Sequence, residues 1–193
     1  MDNTFLIAGL GNPGIQYSLT RHNVGFIVAD MLLSMMRGGN YLEKFNAEYS
    51  KCNYKSFQAV ILKPMTFMNL SGQSVSRACS FYKIGINQVI IIHDDIDLDY
   101  GIVRVKSGGG TGGHKGIESC KQELGTTDFL RVRVGVGRPV HGDVSNFVLS
   151  NFSADEQIIL ESVVKTAAEA VMHILEFGTT KTMNQFNKRQ GDS

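Results

Sequence analysis

The sequence predicts one α/β domain, and three observations carry that expectation. Short apolar runs alternate along the chain with longer segments whose apolar residues recur at helical spacing. The length, 193 residues, suits one domain with a sizeable core. The composition is that of an ordinary globular chain, with 42% hydrophobic and 19% charged residues. A formal net charge of +1 announces no nucleic-acid partner by itself. No apolar run reaches the roughly 18 residues of a membrane helix, so no membrane partner is expected. Met-Asp-Asn leads straight into a strand, without a signal-peptide pattern. Cys52, Cys79 and Cys120 are odd in number, far apart and outside any CxxC pair, which predicts buried free thiols in a reducing, cytoplasmic setting.

Taken in order, Phe5 to Ala8 reads as a buried strand closed by Gly9-Leu10-Gly11-Asn12-Pro13-Gly14. That turn leaves Asn12 at a strand's carboxyl end, where open α/β sheets bind ligands. After His22, the residues Val24, Ile27, Val28, Met31, Leu32 and Met35 mark an amphipathic helix that ends near Arg37-Gly38-Gly39. A short strand is expected near Glu48 to Cys52, and another from Phe57 to Leu62, stopped by Lys63-Pro64. The next helix has Val75, Ala78, Cys79 and Tyr82 on its less polar side, with Asn69 or Ser71 as candidate N-cap. Gln88 to Ile92 is a β-branched run and hence a central strand, ending in His93-Asp94-Asp95-Ile96-Asp97. Ile102 to Lys106 alternates as a strand. Five glycines among the six positions 108–113 then open a helix over 117–124, a loop whose amides and helix dipole would favour an anion. Phe129 to Val136 alternates again, with Arg131 and Arg133 on one side. Ser153-x-x-Glu156 is a capping box for a helix that runs to about Glu176 and is closed by Gly178. Residues from about 179 to 193 are polar and cationic and read as a loose tail or lid, with Met183 and Phe186 as its candidate docking residues.

The chemistry-bearing residues gather at predicted strand ends and loops: Asn12, His22, Asn69, Asp94, Asp95, His114 and Lys115. Gly9-x-Gly11-x-x-Gly14 fits the dinucleotide fingerprint, but the residues after Gly14 lack a helical period and Asp30 falls inside a helix rather than ending a second strand. A metal site from His93, Asp94, Asp95 and Asp97 is disfavoured, because neighbours in a strand alternate direction and no paired-His spacing supports it. There is no G-x-S-x-G elbow and no recognisable cysteine nucleophile motif. What remains is a histidine base, a carboxylate to polarise it and amide side chains. That set suits direct attack of water on an ester or amide. Between Gly101 and Val140 seven Arg or Lys stand against three acids, so a local basic face is expected.

Four motifs then fall in one order and spacing: GLGNPG followed by Tyr17 and TRHNVG, PMTFMNLSG, HDDIDL, and GGTGGHKG. Together they resemble the bacterial-type peptidyl-tRNA hydrolase family, over about residues 4 to 185. The resemblance implies a single domain with a twisted, mixed, mostly parallel sheet flanked by helices on both faces. It implies hydrolysis of the ester between a peptide and the 3′ ribose of tRNA during translation, by a cytoplasmic monomer with no metal or cofactor. By matching motif positions, His22 resembles the base that activates water and Asp94 the acid that orients it. Asn12 and Asn69 would position the carbonyl and the water, while Tyr17 and Met68 would line the channel for the peptide or the 3′ end. Lys106 and Arg133 match a basic pair that grips the tRNA 5′-phosphate at the acceptor stem. Two positions depart from the family's pattern. Lys115 stands where asparagine is common, and lysine donates hydrogen bonds but accepts none; Thr111 stands where a histidine often sits. A non-catalytic RNA-binding protein on the same fold is the competing reading, and the presence of His22, Asp94, Asn12 and Asn69 argues against it.

Overall fold

Each run of apolar or alternating residues becomes a strand of one seven-stranded sheet, in a computed structural model that describes residues 3–188. The strands are β1 (Thr4–Gly9), β2 (Leu42–Lys44), β3 (Ala47–Tyr54), β4 (Phe57–Pro64), β5 (Val89–Asp95), β6 (Val103–Ser107) and β7 (Leu130–Gly135). The helices are α1 (Val24–Met35), α2 (Ser71–Tyr82), α3 (Lys115–Leu124), α4 (Val144–Val148), α5 (Ala154–Phe177) and α6 (Thr179–Phe186). Spatial order is β2-β3-β4-β1-β5-β7-β6. The central four, β4, β1, β5 and β7, are parallel; β3 and β2 on one margin and β6 on the other run antiparallel to their neighbours.

Burial on both faces explains why the central strands read as unbroken apolar runs. Ile7, Ile90, Ile92 and Val132 pack toward the cluster that contains α1 and α5 residues. Leu6, Ala8, Val60 and Ile91 pack toward the cluster that contains α2 and α3 residues. Helices therefore cover both faces, and all three cysteines are buried and free. Ser153 caps α5 and Glu156 returns the bond, so the capping box is present, and Gly178 ends the helix at φ 79°.

Three short elements have no counterpart in the periodicity. β2 has three residues, all exposed, and α4 has five. The third is a correction: residues 179–186, expected as a loose tail or lid, form α6. Thr182 is buried, and Met183 and Phe186 pack against the core. Beyond the helix, the Asn187 carboxamide accepts from Val105 N–H (2.9 Å) and donates to Val105 O (2.8 Å), so the segment covers edge strand β6. The remainder of the expected tail, residues 189–193, lies outside the described residues.

Candidate active site

Asn12 and His22 meet because two glycines let backbones touch. A side chain on Gly9 would collide with the Gly25 carbonyl, and one on Gly25 would strike Leu10 and Ile92 backbone atoms. Without them, the start of α1 packs directly on the end of β1. Asn23 then ties the two turns together: Asn12 N–H donates to its Oδ1 and its Nδ2 donates to Asn12 O, both at 2.9 Å. Gly14 (φ 113°) leads into a single 3₁₀ turn, Ile15–Tyr17, rather than an α-helix, so the loop lacks the helix start that a pyrophosphate requires.

His22 is buried, and its Nδ1 lies 2.9 and 3.0 Å from the two carboxylate oxygens of Asp94. The carboxylate is acceptor-only, so Nδ1 carries the proton and Nε2 is left as a lone pair. Asp94 Oδ1 accepts a second bond, from His114 Nε2 at 2.8 Å. His114 is fixed in turn as the N-cap of α3, where its Nδ1 accepts from Gly116 N–H (3.1 Å) and Ile117 N–H (3.3 Å). Burial alone would raise the Asp94 carboxyl, but the His114 and His22 imidazoles aimed at it hold it well below the usual carboxylate range. His22, Asp94 and His114 are also spaced closely enough to hold a cation. The capping bonds to His114 Nδ1 argue for a proton network instead, because the neutral ring must carry its hydrogen on Nε2, where a metal would sit.

The other predicted residues line the same cavity, of about 890 Å³. Asn12 Oδ1 accepts from Met68 N–H at 2.8 Å, and its Nδ2 has no partner among the described residues. Asn69 caps nothing: Leu70 is the N-cap of α2 and no side chain bonds there, so the exposed carboxamide is available. Tyr17 is half-buried and Met68 buried. Lys115 is the exposed first residue of α3, beside the glycine loop. At the anion cradle expected there, the Gly116 and Ile117 amides at the helix start are taken by His114.

On the basic wall, register puts Arg104 opposite Arg133 and Lys106 opposite Arg131, so all four share one face. Two are committed to structure. Arg131 is buried and donates to Gly110 O (2.7 Å) and Gly109 O (2.6 Å), shaping the glycine loop. Arg104 donates to Phe186 O and Lys188 O. Among the described residues Arg133 gives only its Nε, to Asp95 Oδ2 at 2.6 Å, and both terminal nitrogens have no partner. Burial would raise the Asp95 carboxyl, yet the Arg133 guanidinium and Asp97 N–H hold it low. Lys106 has no ion-pair partner among the described residues.

Thus all nine predicted residues line one cleft. The expectation had not included His114 as a second partner of Asp94, nor Asn23 as the strut behind Asn12. The signal for His114 was its place just after the glycines and just before a helix, the N-cap position.

Fold and cleft together define an α/β domain that holds a histidine–carboxylate dyad at the carboxyl ends of parallel strands. The peptidyl-tRNA hydrolase family model matches residues 6–193. A peptidyl-tRNA hydrolase of Citrifermentans bemidjiense is 48% identical over 184 residues, covering 95% of this chain and 98% of that one. One from Geobacter sulfurreducens is 46% identical, with 96% of each chain covered. The crystal structure of the peptidyl-tRNA hydrolase of Acinetobacter baumannii superposes with a TM-score of 0.90 at 35% identity, covering 97% of this chain and 96% of that one. The chain belongs to the peptidyl-tRNA hydrolase family.

Proposed function

We propose that the chain hydrolyses the ester joining a peptide to the 3′ ribose of tRNA, releasing peptide and free tRNA without a covalent intermediate. The observation that carries this reading is the dyad: Nδ1 of His22 is held by a buried carboxylate, so Nε2 keeps its lone pair. A water against Nε2 loses its proton as it attacks the ester carbonyl, and Asp94 stabilises the imidazolium that results. Asn12 Nδ2 is oriented by the Met68 amide and serves as a donor to the carbonyl oxygen as negative charge develops there. Asn69 positions the water or carbonyl, and Tyr17 and Met68 form the channel walls. Lys106 and the free end of the Arg133 fork hold the tRNA 5′-phosphate, a contact that places the substrate without reading its sequence. Lys115 stands where the 3′ end passes and can only donate. No metal or cofactor enters this route. The reaction is assigned to the cytoplasm and to a monomer; the buried free cysteines support the former, and among the described residues no helix is long and apolar enough to cross a membrane.

His22→Ala tests the base assignment. Release of peptide from a defined peptidyl-tRNA, with aminoacyl-tRNA as control, should fall by about 10²- to 10⁴-fold, while the circular dichroism spectrum stays unchanged. Wild-type turnover in that variant would refute the assignment.

A further inference from the structure

A second concavity of about 660 Å³ lies outside the cleft. One wall is the exposed side of α2, with Ser76, Arg77, Ser80 and Phe81; the other is the β2–β3 turn, with Lys44, Phe45 and Asn46. Phe45 (φ 63°) and Asn46 (φ 54°) are both left-handed, as a two-residue hairpin turn of this hand demands. A bulky aromatic is a costly occupant of that conformation. Here it sets the Phe45 ring 5.3 Å from Phe81, which is 55% exposed, with Lys44 Nζ 3.5 Å over the Phe81 ring. The Ser76 and Ser80 hydroxyls, the Arg77 guanidinium and the Asn46 carboxamide make no hydrogen bond to any described residue.

One stretch of chain links this groove to the wall of the cleft. Asn46 O accepts from Met65 N–H (2.8 Å) and from Ser74 Oγ (3.0 Å), and Met65 leads into the Phe67–Asn69 wall. Phe67 and Leu70, in the segment between Met65 and α2, are exposed. Asn69 to Ser76 is seven residues along α2 and its leading turn, about 10 Å at 1.5 Å per residue. An extended chain covers that in roughly three or four residues. The sheet order sets the direction: Lys106 and Arg133 are on β6 and β7, the dyad is at β1 and β5, and the groove is beyond β4, on the other side.

We propose that the α2 groove seats the peptide moiety of the substrate, at roughly the fourth to sixth residue from the ester, through main-chain carbonyls that accept from Arg77, Ser76, Ser80 and Asn46 while side chains lie on Phe45 and Phe81. The inference rests on the hydrolase reading, in which the ester divides tRNA on the basic side from peptide on the other. Recognition of main chain and general apolar surface tolerates any sequence, as an enzyme acting on varied peptides requires.

The test compares a tRNA carrying one N-acetylated residue with one carrying an N-acetylated hexapeptide. Wild-type KM should be roughly five- to tenfold lower for the longer substrate, the scale of one aromatic contact and one hydrogen bond. Arg77→Ala with Phe81→Ala should abolish that gain and leave the single-residue substrate unchanged. No length dependence in the wild type, or a gain that survives in the double variant, would overturn the proposal. So would equal loss on both substrates, which would mark the groove as an RNA contact. Titration of the free acetylated hexapeptide, the reaction product, should shift the amide resonances of Asn46, Arg77 and Phe81. Should the wild type cleave neither substrate, the hydrolase reading fails alone; the titration still decides the groove, and unshifted resonances there reject it.

Discussion

At the scale of single residues, the site is a chain of hydrogen bonds in which each partner fixes the next tautomer. The pairing of His22 with Asp94 was readable from motif order through the family resemblance, with His22 just ahead of a helical run and Asp94 at the close of a strand run. His114 was not, since its bond to Asp94 depends on how the glycine loop folds back. The same cluster makes the fold sensitive to acid. Burial and nearby His114 push the His93 imidazole down to about 3, its Nδ1 is 2.7 Å from Asp94 O, and its buried Nε2 has no partner among the described residues. Below about pH 6.5 the unfolded chain takes up a proton at this histidine that the folded chain refuses, so stability falls as pH falls from about 6.5 toward 3. Asp94 and Asp95, both held low, lose their contribution further down, below the ordinary carboxylate value of about 3.9. Urea midpoints should therefore drop steadily between pH 7 and 5. His93→Gln should flatten that slope, and an unchanged slope would remove His93 as its source.

At the scale of elements, the long periodic helices and the buried strands were readable because their stability comes from a continuous apolar face. The short α4, which lines the cleft with Val144, Ser145 and Val148, has no such face and exists by attachment. Its attachment is Arg21, a buried residue next to His22. One terminal nitrogen donates to Ser150 Oγ and Asn151 O (both 2.7 Å), the other to Glu156 Oε2 (2.5 Å), and the guanidinium stacks 4.3 Å from the Phe147 ring. Backbone bonds follow the same path, from Arg21 N–H to Ser150 O and from Phe152 N–H to Leu19 O. One staple thus holds both the turn that carries His22 and one wall of the cleft. Glu156 also closes the α5 capping box, so it serves two donors with one oxygen. Arg21→Met keeps the apolar stem but removes the donors and leaves a carboxylate short of its partner. Unfolding free energy should fall by about 3 kcal/mol, read from urea denaturation, and KM should rise as the α4 wall loosens. A variant as stable as the wild type would show that the staple contributes nothing.

At the scale of the whole molecule, function is laid out as an order across the sheet, with charge at the β7–β6 margin and the dyad at the centre. The excess of cations between Gly101 and Val140 was visible in the sequence, but their division of labour was not. Periodicity places Arg131 and Arg133 on one side of their strand; it says neither that Arg104 and Lys106 share that face nor that carbonyls take up Arg104 and Arg131. That depends on where the glycine loop and the chain beyond α6 come to rest, and both are set by tertiary contacts. Lys106, together with the terminal nitrogens of Arg133, is what the fold leaves on this wall for an anion. Under the proposed function such a pair would gain affinity by releasing counterions from phosphate, and its effect would belong to the tRNA body and not to the ester. Replacing both by alanine should raise KM on full peptidyl-tRNA about 10- to 100-fold, the scale of one or two charge-assisted bonds, and leave a short ester that lacks the acceptor stem nearly unaffected. The slope of log affinity against log salt should become shallower by about two, one for each lost phosphate contact. Equal losses on the long and short substrates would instead mean that these cations act on the reacting centre, and an unchanged salt slope would mean that they touch no phosphate.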